Sequence, residues 1–260
     1  MRREAMLAAE KRRKRFKTAR TIGLLLIPIV IVFVIIQFAS GDDSSDSSNS
    51  SSAQGITCSN REPATPVKTQ TFTELPPTTI DVNAQYSAVL HTSCGDIEIA
   101  LDAKQAPVAT NNFLALVQNE YYNGTTFHRI VTDFVDQGGS QTPDGQGETG
   151  YNLPLEPPAD GYKVGDVAMA AGADGISGSQ FFLVVSKRGA EGLGTEPPFR
   201  YSILGHMDAE GLKVAKKINT FGSPDQAGTP TKTIYVFDVG IIPPQGAPST
   251  TAPTETTLAP

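Results

Sequence analysis

The sequence predicts a mainly β domain with two helices, preceded by a separate membrane-spanning helix. Three observations lead there. Short runs rich in β-branched and aromatic residues recur from Tyr86 to Val239, broken by glycine-containing turns. Only two stretches fit a 3.6-residue apolar period within that region. Near the N-terminus, one apolar run stands apart from the rest of the chain.

That run, Thr21 to Ala39, is 19 residues interrupted only by Gly23, Pro28 and Gln37. As a helix it is long enough to cross a hydrocarbon core of about 30 Å. Pro28 would be costly in a soluble helix but is tolerated in a membrane span. Before it come nine Lys and Arg against Glu4 and Glu10, so the first twenty residues carry +7. The whole chain carries −6, which leaves −13 for the remainder. The positive flank stays in the cytoplasm. Residues 1–20 are therefore expected inside, 21–39 as a single-pass anchor in the cell membrane, and everything after Ala39 outside. A cleaved signal peptide would have a shorter apolar region and a small-x-small site, which Gln37-Phe38-Ala39 is not. Beside a span, the basic block sets topology and touches anionic lipid, and no nucleic-acid partner is expected.

Residues 40–83 read as a stalk. Gly41 to Gln54 is a Ser/Asp-rich stretch with nothing sizeable to bury. From 55 to 83, Pro63, Pro66, Pro76 and Pro77 among threonines predict an extended path over the domain surface. The domain itself is expected at 84–242. A disordered Pro/Thr-rich tail follows at 243–260.

Within the domain, Tyr86–His91 and Asp96–Leu101 flank Ser93-Cys94-Gly95, a hairpin connection. Pro107 opens the first helix, where its missing N–H is harmless, and Phe113, Leu116 and Val117 share its inward stripe. Thr126–Ile130, Phe134–Gly138, Asp166–Ala170, Gln180–Val185 and Tyr201–Leu204 read as strands. Asp208 caps the second helix, with Leu212, Ala215 and Ile218 inward. Thr233–Val239 is the last strand. Spacing alone would allow an open α+β sheet.

Two segments carry the chemistry. The first is Phe127-His128-Arg129-Ile130 followed by Phe134-Val135-Asp136-Gln137-Gly138-Gly139, and the second is Ser179-Gln180-Phe181-Phe182. They put one arginine and two glutamines among phenylalanines on short strands. That composition suits a shallow apolar pocket with a few fixed hydrogen-bond donors, and proline is a ligand such a pocket fits. Both segments, at this spacing, resemble the signature segments of the cyclophilins, the peptidyl-prolyl cis-trans isomerases.

The resemblance covers roughly residues 84–242 and implies a closed eight-stranded antiparallel barrel with two capping helices. It implies catalysis of rotation about X–Pro bonds in proline-containing polypeptides, with no cofactor. The rotation breaks no covalent bond, but partial double-bond character gives it a barrier of about 18–20 kcal/mol. A catalyst need only bind the twisted amide better than either planar form. Arg129 matches the family's donor to the prolyl nitrogen, with Gln137 beside it as the second catalytic position. Phe134, Val135 and Phe182 match the proline pocket, Gln180 a polar contact to the substrate backbone, and Ala170, Ala171 and Tyr201 the adjoining groove.

The sequence also departs from the best-known pattern. Val135 stands where methionine is usual, Ala171 replaces an asparagine and Tyr201 a histidine. The chain has no Trp, so the residue that helps bind cyclosporin is absent. An insertion, Arg188–Pro198, obscures the pocket's third wall. With its anchor, the chain reads as a membrane-bound bacterial form assisting the folding of exported proteins. The alternative is a catalytically weak cyclophilin-like module that holds Pro-containing segments.

Other motifs carry less. Gly145-x-Gly147-x-x-Gly150 is followed by Tyr151-Asn152-Leu153-Pro154 rather than a helix, so no dinucleotide site is expected. His91, His128 and His206 lack metal-ligand spacing, and no metal is expected. No nucleophile–base pairing for a hydrolase stands out. Cys58 and Cys94 both fall on the predicted outer side, where a disulfide persists. Cys94 sits in a hairpin turn and Cys58 in an extended segment able to lie beside it, so a bond is expected; two independent thiols are the alternative.

Overall fold

A computed structural model describes residues 55–172 and 174–244. The expected basic segment, membrane span, Ser-rich part of the stalk and most of the tail lie outside the described residues. Among the described residues no helix is long and apolar enough to cross a membrane.

The described residues form nine strands: β1 (Tyr86–Thr92), β2 (Gly95–Leu101), β3 (Arg129–Val131), β4 (Val135–Gly138), β5 (Asn152–Leu153), β6 (Asp166–Ala171), β7 (Ile176–Val184), β8 (Ile203–Met207) and β9 (Val236–Ile242). Eight of them run as one antiparallel path in the order β3-β4-β7-β6-β8-β2-β1-β9, and the two-residue β5 pairs with β7. The expected closed eight-stranded barrel is corrected here to a curled, open path. Its ends approach only just outside β3, through the isolated bridge of Thr126 with Tyr235 and the flanking hydrogen bonds from Phe127 N to Ile234 O at 3.0 Å and from Val236 N to Thr125 O at 2.8 Å, with no ladder between β3 and β9. The physical reason is that another segment occupies the free edge of β3. Ile130 N donates to Gly228 O at 2.7 Å, Ser223 N to Ile130 O at 3.1 Å and Thr132 N to Ser223 O at 3.0 Å. The loop Ser223–Gly228 therefore satisfies β3 where a neighbouring strand would close the barrel.

Among the described residues three helices pack on this sheet, rather than the two expected for the domain. In α1 (Pro107–Gln118) the residue before the helix, Ala106, offers no cap. The Glu156 carboxylate supplies one from 48 residues away, accepting from Val108 N and Ala109 N at 2.9 Å each. The unexpected helix is α2 (Lys187–Leu193), folded within the insertion; Ser186 caps it by accepting from Gly189 N at 2.9 Å. Asp208 caps α3 (Ala209–Asn219) as its sequence predicts, accepting from Gly211 N at 2.7 Å. Phe113, Leu116, Val117, Ala215 and Ile218 are buried in the main core and Leu212 is half-buried against it.

The sheet separates two apolar clusters because successive strand residues point to opposite faces. On the inner face, Ile130, Val167, Met169, Phe181 and Leu183 join the main core. There Phe113, Tyr121, Tyr122, Phe127 and Phe181 pack edge-on or tilted, with ring centroids 5.1 to 6.4 Å apart. Both tyrosine hydroxyls end on Ser179, Tyr121 on its Oγ and Tyr122 on its O, each at 3.2 Å. On the outer face, Val135, Ala168, Ala170, Phe182, Val184 and Ala190 form a second cluster.

The segment 55–83 lies against this domain. Gln141 clamps it, accepting from Gln70 N at 2.8 Å and donating to Lys68 O at 2.7 Å, while Phe72 N donates to Thr149 O at 2.7 Å. The Phe72 ring sits 6.3 Å from Tyr121 and 6.5 Å from Tyr151. At its start, Cys58 is bonded to Cys94 in the β1–β2 turn, and Ser59 N donates to Ser93 O at 2.7 Å. A cavity of about 350 Å³ opens between this segment and the 124–126 and 140–143 loops. It shares no lining residue with the Arg129–Phe182 face.

Candidate active site

Register assembles the outer-face site. Arg129 on β3 is opposite Gln137 on β4, Gln137 is opposite Phe182 on β7, and Phe182 is opposite Ala168 on β6. Residues distant in the chain therefore stand in one row across four strands. Gln180, two residues before Phe182, points the same way.

The polar half of the row is a chain of side-chain hydrogen bonds. Arg129 Nη1 donates to Gln137 Oε1 at 3.3 Å, and Gln137 Nε2 donates to Gln180 Oε1 at 3.0 Å. Gln180 Nε2 in turn donates to Gly145 O at 2.9 Å and to Glu148 Oε1 at 3.4 Å. Each amide is thereby oriented by its neighbour. Burial lowers the pKa of Arg129 from its ordinary value, yet a guanidinium stays charged at any working pH. Glu148 is pushed up, chiefly by burial. His128, beside Arg129, is brought down to about 4 by burial first and the Arg129 charge second. At neutral pH it is an uncharged neighbour, so Arg129 is the cation of this face.

The apolar half is a wall of rings. Phe182 meets Tyr201 edge-on, with centroids 5.1 Å apart at 88°. Tyr201 meets Tyr162 at 6.0 Å, and Tyr162 meets Phe199 at 5.8 Å. Phe134, half-buried, follows a tight turn in which Asp133 takes φ 55°. It packs under α2: a Cβ on Gly189 would collide with Phe134 O, and one on Gly192 would lie 2.8 Å from the Phe134 ring. Glycine at both positions lets the helix approach.

The sequence-derived positions fall into three sets. Arg129, Gln137 and Gln180 share one hydrogen-bond chain. Val135, Ala170 and Phe182, with Phe134 and Tyr201 against them, share one apolar cluster. Ala171 belongs to neither; it is exposed at the end of β6, past a register shift between Met169 and Ala171. Several groups at the site had no sequence signal. Leu193, at the end of α2, touches both the Phe182 cluster and the Tyr162 cluster and supplies the third wall that the insertion obscured. Gly145 contributes only its carbonyl, and Glu148 lies inside the Gly145-x-Gly147-x-x-Gly150 run, whose glycine pattern carries no signal for a carboxylate at this site.

Such an arrangement can grip a small apolar ring against Phe182, Val135 and Phe134, and present guanidinium N–H groups and amides to the polar backbone beside it. It contains no nucleophile–base pair. A curled antiparallel sheet with this outer face is of the cyclophilin class. The family model for "Cyclophilin type peptidyl-prolyl cis-trans isomerase/CLD" matches residues 87–241, and the chain belongs to that family. It is 32% identical over 176 residues to the probable peptidyl-prolyl cis-trans isomerase A of Mycobacterium bovis, covering 61% of this chain and 93% of that protein. It is 37% identical over 153 residues to the peptidyl-prolyl isomerase cwc27 of Emericella nidulans, covering 51% of this chain but only 26% of that longer protein. A crystal structure of a Cryptosporidium parvum cyclophilin-type isomerase superposes with a TM-score of 0.51 at 28% identity, covering 61% of this chain and 98% of that one.

Proposed function

We propose that this chain catalyses cis–trans isomerisation of X–Pro peptide bonds in proline-containing polypeptides, and does so outside the cytoplasm from a membrane anchor at residues 21–39. Peptidyl-prolyl cis-trans isomerase is the activity of its family. The observation that carries the reading is the row Arg129–Gln137–Phe182, which sets a fixed cationic donor beside an aromatic wall. The apolar wall holds the proline ring. Gln180 and Gln137 hold the backbone on one side of the amide. Arg129 donates toward the prolyl nitrogen as rotation localises its lone pair, so the twisted state gains an interaction that the planar states lack. The basic N-terminal block, the apolar run after it and the Cys58–Cys94 bond support placement outside the cytoplasm, where disulfides persist and exported chains fold.

The test is isomerisation of a proline peptide by the full-length chain and by Arg129→Ala. Loss of one preorganised donor should lower kcat/KM by roughly two to three orders of magnitude, with the melting temperature nearly unchanged. Activity of Arg129→Ala within about threefold of the parent would remove Arg129 from the mechanism. Peptide binding without turnover in the parent would favour the holding module instead. Accessibility of the Arg129 face to a membrane-impermeant label in intact cells tests the orientation; labelling only after lysis would reverse it.

A further inference from the structure

The Arg129 guanidinium is held on two sides. Gln137 takes Nη1, as described. The other side belongs to Gln226: Arg129 Nε donates to its backbone O at 3.0 Å and Nη2 to its Oε1 at 3.4 Å. Among the described residues these are the guanidinium's partners, which leaves one hydrogen on each terminal nitrogen for the groove. Gln226 is 97 residues further along the chain, in the loop that covers the edge of β3.

That loop is built to hold a position. Asp225 Oδ2 accepts from Ser223 Oγ at 2.6 Å and Asp225 Oδ1 from Gly228 N at 3.0 Å. Gly228 takes φ +62°, and a Cβ there would lie 2.9 Å from Arg129 Cγ and 2.8 Å from Val131 Cγ2. The close approach seats the loop against the Arg129 stem as well as its head. An unrestrained arginine would have to give up several rotatable bonds at the moment of reaction.

We propose that Gln226 is a positioning residue for Arg129: it clamps the Nε–Nη2 edge of the guanidinium and so fixes which N–H groups face the substrate. The proposal rests on Arg129 being the donor.

The experiment compares Gln226→Ala, Gln226→Glu, Arg129→Ala and the Gln226→Ala/Arg129→Ala double variant in full-length protein. Gln226→Ala should lower kcat/KM by about tenfold or more, in line with loss of one hydrogen bond to a charged group. The loss should fall on kcat, with KM and melting temperature nearly unchanged. Gln226→Glu, which restores an acceptor on the same stem, should recover most of it. In the Arg129→Ala background, Gln226→Ala should add nothing. A fully active Arg129→Ala overturns the donor reading and this proposal with it. A deficient Arg129→Ala beside an unaffected Gln226→Ala overturns the proposal alone, as does a Gln226→Ala loss that persists without Arg129.

Discussion

The two faces of β4 and β7 are made from alternate residues of the same strands, yet they follow opposite rules. Inward, Phe181 is ringed by Phe113, Tyr122 and Phe127, and the tyrosine hydroxyls are satisfied on Ser179. Outward, Phe182 has one aromatic neighbour, Tyr201, and stands at the edge of a polar row. The inner face is closed and its rings pack against one another. The outer face keeps unspent donors and an incomplete aromatic wall, which is what a ligand needs. Asp136 is an exception on the inner side: a fully buried carboxyl whose Oδ1 accepts from Asn219 Nδ2 at 2.6 Å and whose Oδ2 has no partner among the described residues.

Truncating the two phenylalanines is the strongest way to break this contrast. Phe181→Ala should destabilise the domain by about 3–5 kcal/mol, the usual range for a core Phe→Ala change. Phe182→Ala should cost roughly half as much and weaken binding of a proline peptide by about tenfold or more. Denaturant unfolding and peptide titration read both. Equal stability losses with unchanged binding in Phe182→Ala would mean that both faces are core.

Asp136 tests the inner face by pH. Burial pushes its carboxyl well above the ordinary 3.8, with Asn219 pulling weakly the other way. The folded protein then holds this proton more tightly than the unfolded chain does. Stability is therefore lost as pH rises above the unfolded value of about 4. Asp136→Asn stays neutral, so its stability advantage over the parent should widen as pH rises above about 4 and level off once the raised pKa of the folded Asp136 is passed. An advantage that is constant or absent over that range would show Asp136 ionised in the fold.

The smallest effect separates two histidines. His128, on the site side, is brought down to about 4, while the hydrogen bond that His206 Nδ1 donates to the Asp166 carboxylate raises His206 above 6.5. Because the folded His128 pKa lies below 6.5, its contribution to stability is full above that pH and fades as pH falls toward 4. By nitrogen-detected NMR, His206 should titrate above the ordinary 6.5 while His128 stays neutral down to about pH 5. A His128 midpoint near 6.5 would mean that the Arg129 neighbourhood is solvated rather than buried.

Much of this could be read from the chain because it is local. Alternation located the strands, Asp208 marked its helix, and the two short segments carried the Arg129, Gln137, Gln180 and Phe182 positions. What could not be read depends on partners far away in sequence. Glu156 caps α1 across 48 residues, and nothing near Ala106 announces it. The open edge of β3 depends on a loop some 90 residues downstream, whose Ser-Pro-Asp-Gln-Ala-Gly sequence reads only as a turn. Strand periodicity cannot distinguish a closed path from one whose last neighbour is a loop. Helix α2 was hidden by its glycines, Gly189 and Gly192, which weaken a helix intrinsically but make room here for Phe134.

All nine residues of β7 are buried, alternately against the core and under the groove. This strand can therefore exchange one side chain for another, but it cannot change length. Adding or deleting a single residue within it would turn Phe181 outward and Phe182 inward, spoiling both faces at once. Lineages carrying this scaffold can remodel specificity by lengthening the stretch around α2 or the glycine-rich loop at 140–151, where a different number of residues shifts no register. The architecture thus divides the chain into a part fixed in count and a part free in count, and diversity in what the groove accepts has to come from the second.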